Sequence, residues 1–403
     1  MNKISTQLSL SLSKFFEVHD QSENHVCSLD LPSSRLWPVN SLDGPISFPR
    51  ILYHDKINKM AKINNRFKEL DGLRAFAILL VVFYHLSSYL TTNLYGLKSF
   101  FLTGHNGVDL FFVLSGFLVG RLAFLEIEKE NHLNIFRFWG KRFLRTWPLY
   151  FIFLIYYLLK TDYEVIPKVW RYLTFTQNLS EMNTFVQSWS LAVEEQFYFL
   201  LPVLLSLFIK LKSKKPLFIF ALSLFISSYI FRYYNLNTSH TLASLDTLIL
   251  GILISYFEVF EKNKLKALKS KPYLLMILGI ISIYLFYMVN LTEEWTRVFR
   301  YGFQSIGFTL LLISALSDKR TLLSHFLSSK VLYYIAIFSY SIYLSHSIII
   351  FKIGRVYFSS MNNLILKDII ILLLGTAGSI FAGGISYYLI EKPLLKARDY
   401  FVK

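Results

Sequence analysis

The sequence predicts an all-α, polytopic membrane protein of about ten transmembrane helices with both termini in the cytoplasm. Three observations predict it. Of the 403 residues 54% are hydrophobic and 17% aromatic, while only 17% are charged, against roughly 25% in a soluble globular domain. Apolar runs of helix-spanning length recur from Leu70 onward. The 42 Lys and Arg, against 26 Asp and Glu, sit in short clusters between those runs, so the net charge of +16 reads as membrane topology and not as a nucleic-acid surface. An ordinary soluble enzyme and a disordered chain are excluded. Cys27 is the single cysteine and cannot close an intramolecular disulfide, and no Cys/His spacing suggests a metal site.

Residues 1–65 carry four of the ten prolines (Pro32, Pro38, Pro45, Pro49) and no apolar run long enough to cross a bilayer, which predicts a soluble, cytoplasmic N-terminal extension. The early Leu-Ser-Leu-Ser-Leu-Ser stretch has a hydroxyl at every second position and no small-residue cleavage site after it, so the extension is expected to stay attached. Residues 66–396 form the membrane domain, and 397–403 are expected to be a short cytoplasmic tail. The transmembrane segments are 71–91, 107–125, 144–160, 193–209, 217–232, 242–258, 272–290, 300–316, 331–351 and 368–390. With the N-terminus inside, the cytoplasmic segments hold 31 basic residues and the outward loops 9, the asymmetry that orients multi-pass proteins. No internal repeat of the kind that builds many secondary transporters is visible.

Ionisable side chains inside such segments are costly unless paired or hydrated, so each is a functional candidate. In the first segment Arg74 and His85 are eleven residues apart. At about 100° per residue they share one helix face, separated by about 16 Å of rise. Asp109 lies near the outer end of the second segment. The fourth opens Ser188-Trp189-Ser190-Leu-Ala-Val-Glu194-Glu195-Gln196-Phe-Tyr198, which places two carboxylates at its outer end. Asp246 and His346 also fall in outer halves, so these acids and both histidines are expected to gather there. A purely structural role for the acids would be a buried hydrogen-bond network between helices. Glu194 and Glu195 point about 100° apart and do not share one job; Glu194 is the one assigned to the site.

The opposite boundary carries Arg137-Phe-Trp-Gly-Lys141-Arg142-Phe-Leu-Arg145-Thr-Trp147-Pro148-Leu-Tyr150. This basic and aromatic stretch suits two roles, holding phosphates through charge and planar guanidinium hydrogen bonds or anchoring the chain at the interface.

Taken together, these stretches resemble the integral-membrane acyltransferase 3 family, whose members typically acetylate cell-envelope sugars. The likeness rests on Arg74 and His85 in an Arg-x10-His pattern, on Gly107 to Phe117 (Gly-x-Asp-x-Phe-Phe-x-x-Ser-Gly-Phe), on Lys141 to Tyr150 and on Ser188 to Tyr198. Weaker matches are Phe338-Ser-Tyr-Ser-Ile-Tyr-Leu-Ser-His346 and Tyr388-Leu-Ile-Glu391-Lys-Pro393. They run in the family's order over about 70–395. Two positions depart from it. Ser244 stands where the family usually has an arginine two residues before Asp246, which leaves the ion pair expected there without a local partner. No counterpart is expected of the hydrolase-like domain that follows the last helix in some members, so acceptor transfer is expected in the membrane domain or through a separate protein.

The resemblance implies a multi-pass O-acetyltransferase of the bacterial cytoplasmic membrane. It would take an acetyl group from cytoplasmic acetyl-CoA, with no metal, and deliver it to a hydroxyl of an extracytoplasmic glycan such as an O-antigen of lipopolysaccharide, an exopolysaccharide or a lipid-linked saccharide. His85 is the expected general base, with Asp109 or Glu194 fixing its tautomer. Arg74, Arg142 and Arg145 are expected to hold the CoA phosphates. Trp189, Ser190, Glu195, Asp246 and His346 are expected on the acceptor side. The alternative from a different class is a proton-coupled transporter or flippase of a lipid-linked sugar, in which the same acids and histidines relay protons.

Overall fold

A computed structural model describes residues 67–401, apart from 93–95, 161–167, 181–183, 211–214, 235–236, 286–291, 320 and 358–362. The expected extension at 1–65 lies outside the described residues. The described chain is built from α1 (Lys68–Ser87), α2 (Leu97–Leu102), α3 (Gly107–Glu130), α4 (Ile135–Leu158), α5 (Val169–Leu173), α6 (Trp189–Lys210), α7 (Lys215–Tyr234), α8 (Leu245–Phe260), α9 (Lys262–Lys269), α10 (Pro272–Leu285), α11 (Glu293–Ala315), α12 (Leu322–Leu327), α13 (Lys330–Tyr357), α14 (Leu364–Ser386) and α15 (Lys392–Phe401). No strand occurs among the described residues, and the protein is an all-α, polytopic membrane protein.

Each of the ten expected segments coincides with a helix. By length and composition, eight helical stretches among the described residues suffice to cross a membrane, or nine if α9 and α10, bent by 80° at their junction, count as one span. The stretch expected at 144–160 belongs to α4, which is not among the eight. Its first half carries Arg137, Lys141, Arg142 and Arg145, so its apolar run is shorter than its helix. Of the expected tail, residues 397–401 continue α15.

Hydrophobicity is turned outward as well as inward. On α7 Ile219, Leu222, Ile226 and Ile230 form an exposed stripe at helical spacing, and on α14 Leu366, Ile369 and Leu373 do the same. Such a stripe suits lipid and not water.

Helix α1 lies at the centre, packed against α3, α13 and α14, and Ala75, Ala77, Ile78 and Leu86 on it are completely buried. It runs antiparallel to α14 and the residues that follow it. Asp368, in the first turn of α14, accepts from the backbone N–H and hydroxyl of Thr91 (3.0 and 3.1 Å) and of Thr92 (2.8 and 2.6 Å). That grip draws the chain out of the helix after Ser87, four residues earlier than expected. Farther along, Gly375 lets the Leu86 side chain pack against the α14 backbone, and Glu391 is level with Arg74. The second close pair is α3 and α8. A Cβ on Gly116 would collide with the Leu248 carbonyl, and one on Gly251 with the Val113 carbonyl, so glycine at both positions allows the two backbones to touch.

Candidate active site

His85, in the last turn of α1, brings its Nδ1 to 2.9 Å from the carbonyl of Val81. A carbonyl only accepts, so Nδ1 carries the proton and the Nε2 lone pair is left for another partner. His346, on α13, repeats the arrangement: its Nδ1 lies 3.1 Å from the Ile342 carbonyl and 2.8 Å from that of Tyr343. The two imidazoles meet edge to face with centroids 4.8 Å apart. His346 is completely buried, while His85 is half-buried. Among the described residues no carboxylate hydrogen-bonds either ring. The backbone, and not Asp109 or Glu194, therefore fixes the His85 tautomer, because an imidazole at position i on a helix reaches the carbonyl at i−4 without any partner helix.

Ser190, Glu194 and Tyr198 form a stripe on α6 at four-residue spacing, which stacks them on one face. At one end the Tyr343 hydroxyl donates to the Gln187 carbonyl (2.7 Å), so Ser190 Oγ, 2.6 Å away, donates to Tyr343; the Tyr343 ring is in turn 5.8 Å from His346. At the other end Tyr198 donates to Glu194 (3.3 Å) and contacts Ser115 of α3, and Arg142 lies over its ring at 5.0 Å. Glu194 thus lies between the histidine pair and the arginines. The connection before α6, whose Tyr172, Phe175 and Phe185 are buried, carries the start of the helix into the bundle. Glu195 faces elsewhere, accepting from Thr146 Oγ1 (2.7 Å) and Trp147 Nε1 (2.9 Å) of α4. It clamps α4 to α6. Trp189 is half-buried, its ring edge-on to Phe112 at 6.0 Å.

Arg145 is exposed, yet Arg74, Arg142, Arg398 and Glu391 surround it. Three separate helices, α1, α4 and α15, thus bring guanidinium groups together. Their carboxylate neighbour, Glu391, accepts from Ser341 Oγ (2.6 Å) and is the last residue of a π-helical turn, Tyr387–Glu391. Arg74 also lies 3.8 Å from Asp71 on its own helix.

With this geometry in hand, comparison decides the family. Residues 67–388 match the acyltransferase domain of the acyltransferase 3 family. The chain belongs to that family. A Staphylococcus aureus (strain COL) protein provisionally named an O-acetyltransferase is 30% identical over 360 residues, covering 81% of this chain and 57% of the relative. The O-acetyltransferase OatA of S. aureus (strain NCTC 8325 / PS 47) is 30% identical over 364 residues with the same coverage. The chain thus spans 57% of the length of these relatives. No solved structure matches it.

This acyltransferase-family chain holds a further polar cluster built around Asp246, which is completely buried. The ion pair that Ser244 does not supply comes from α7: Arg232 donates to both carboxylate oxygens (2.9 and 2.5 Å) and to the Ala243 carbonyl. Ser305 of α11 adds a third donor at 3.0 Å. Asp109 faces Arg232, Asp246 and Arg300, so it belongs to this cluster, whereas Glu194 belongs to the α6 stripe. Of the other residues outside the expected set, Ser115, Tyr198, Tyr343 and Glu391 lie inside the blocks that carry the family likeness and were traceable from them. Arg232 and Arg398 had no such signal, since each reads as an ordinary helix-end arginine.

Proposed function

We propose that this chain is a membrane O-acyltransferase of the bacterial cytoplasmic membrane that moves an acetyl group from cytoplasmic acetyl-CoA to a hydroxyl of an extracytoplasmic envelope glycan. The observation that carries the reading is a histidine of fixed tautomer on the same face of α1 as an arginine cluster about 16 Å away. The acyltransferase family and relatives named as O-acetyltransferases support it.

A sugar hydroxyl is a weak nucleophile near neutral pH and needs a base within hydrogen-bond reach. In the proposed reaction Nε2 of His85 takes the hydroxyl proton as the oxygen attacks the thioester carbonyl. The C–S bond of the tetrahedral intermediate then breaks, and the imidazolium returns its proton to the departing CoA thiolate. The second imidazole, His346, packs edge to face against His85 and holds its ring in place. Arg74, Arg142 and Arg145 bind the donor phosphates by charge-assisted hydrogen bonds. The stripe Ser190–Glu194–Tyr198 lines the way between them and the histidines for the slim pantetheine arm.

The test is CoA release and acetyl transfer by the purified full chain in detergent, supplied with labelled acetyl-CoA and isolated envelope glycan. Release of CoA with label appearing in alkali-labile ester on the glycan is the expected result. Folded protein that binds acetyl-CoA but neither releases CoA nor transfers label would overturn the proposal.

A further inference from the structure

We infer that Arg398 extends the donor site onto the C-terminal helix and binds the ribose 3′-phosphate of a CoA thioester; this rests on the donor reading above and deepens it. The argument is one of register and order. Helix α15 packs against α4, which carries Arg142 and Arg145. Its half-buried residues Leu394, Leu395 and Arg398 fall on the face that continues from buried Glu391, while Lys392, Pro393, Lys396 and Ala397 are exposed. Arg398 is seven residues after Glu391, hence on the same face within about 20° and about 10 Å farther along the helix axis. That places it beside Arg145, whose charged surroundings include it.

The sequence of groups along the axis follows from the antiparallel packing of α1 and α14. Asp368 meets Thr91, Gly375 meets Leu86, and Glu391 faces Arg74, so Arg398 lies beyond Arg74, on the side away from His85. The order His85, then Arg74 with Arg142 and Arg145, then Arg398 is the order of thioester, diphosphate and ribose 3′-phosphate along CoA. Charge agrees: Arg74, Arg142, Arg145 and Arg398 bring four guanidinium groups together beside Glu391, a basic lining that suits a polyanion. A diphosphate plus a phosphomonoester is such an anion. Arg398 lies outside the part of the chain that matches the family, which ends at residue 388.

The experiment compares apparent Kd for CoA and for 3′-dephospho-CoA in the full chain in detergent, for wild type, Arg398→Gln and Arg398→Lys. Wild type is expected to prefer CoA by about tenfold, the size of one lost charge-assisted contact. Arg398→Gln is expected to weaken CoA by that factor, leave 3′-dephospho-CoA unchanged and so abolish the preference, with Lys restoring part of it. Unchanged 3′-dephospho-CoA binding doubles as proof that the variant is folded. A preference that survives in Arg398→Gln, or equal weakening of both ligands, overturns the inference and leaves the donor reading standing. Wild type that binds neither ligand overturns the donor reading and the inference together.

Discussion

A histidine whose Nδ1 proton is held by its own helix needs no acidic partner to present Nε2, and both His85 and His346 are built that way. If His85 is the general base, His85→Ala should lower acetyl transfer by at least ~10²-fold, the lower end of what a positioned acid–base group contributes. Acetyl-CoA binding should stay near wild type, because the arginines that hold the phosphates are about 16 Å away. His85→Gln is the sharper variant: it keeps a hydrogen-bonding group but cannot take a proton at neutral pH. Near wild-type glycan acetylation in a His85→Gln strain with normal protein levels would remove the base assignment. Asp246 makes the opposite prediction. Its carboxylate is the hydrogen-bonded counterion of fully buried Arg232, so Asp246→Asn takes the directly paired charge from a buried guanidinium. Loss of about 3–5 kcal/mol is expected, visible as a lowered thermal midpoint of purified protein. An unshifted midpoint would show that the pair is not a structural tie.

At the scale of elements, the contact between α3 and α8 depends on missing side chains. The ideal Cβ of Gly251 would lie 2.7 Å from the Phe117 nitrogen and closer still to the Val113 carbonyl; these are backbone atoms that cannot swing away. Gly251→Ala should therefore force the helices apart at a cost of about 1–3 kcal/mol, the range for overpacking. Thermal unfolding in detergent measures this, and an alanine variant as stable as wild type would mean the helices have slack at that crossing. The same spreading would disturb Ser115, the α3 residue that contacts Tyr198 of the site. Transfer is thus expected to fall more than protein level does.

At the scale of the whole molecule, the 31 inner against 9 outer basic residues predict that the arginine end of the bundle faces the cytoplasm, where a soluble acyl donor would be met. Reporter fusions after Lys210 and after Lys403 should both report cytoplasm, and one within 161–187 should report the outside. A C-terminus found outside would require an odd number of crossings and would put the arginines and the donor on opposite sides.

Local pattern made much of this legible before any coordinates. Apolar run length located the helices, because the bilayer demands about 20 residues per crossing. The 3.6-residue period put Arg74 and His85 on one face, because that period belongs to the helix alone and needs no neighbour. Partnerships across helices were another matter. Nothing in the spacing of Arg232 and Asp246, of Ser190 and Tyr343, or of His85 and His346 says that they meet, since a period tells which way a side chain points and not which helix stands opposite. The site carboxylates show the consequence. Asp109, Glu194 and Glu195 were expected to gather at the outer ends of their helices; packing gives each a different partner, Asp109 the Arg232–Asp246 cluster, Glu194 Arg142 and Glu195 Trp147. Which acid faces which cation was settled by helix packing, because the cost of burying a charge is met by whichever opposite charge the fold places within reach.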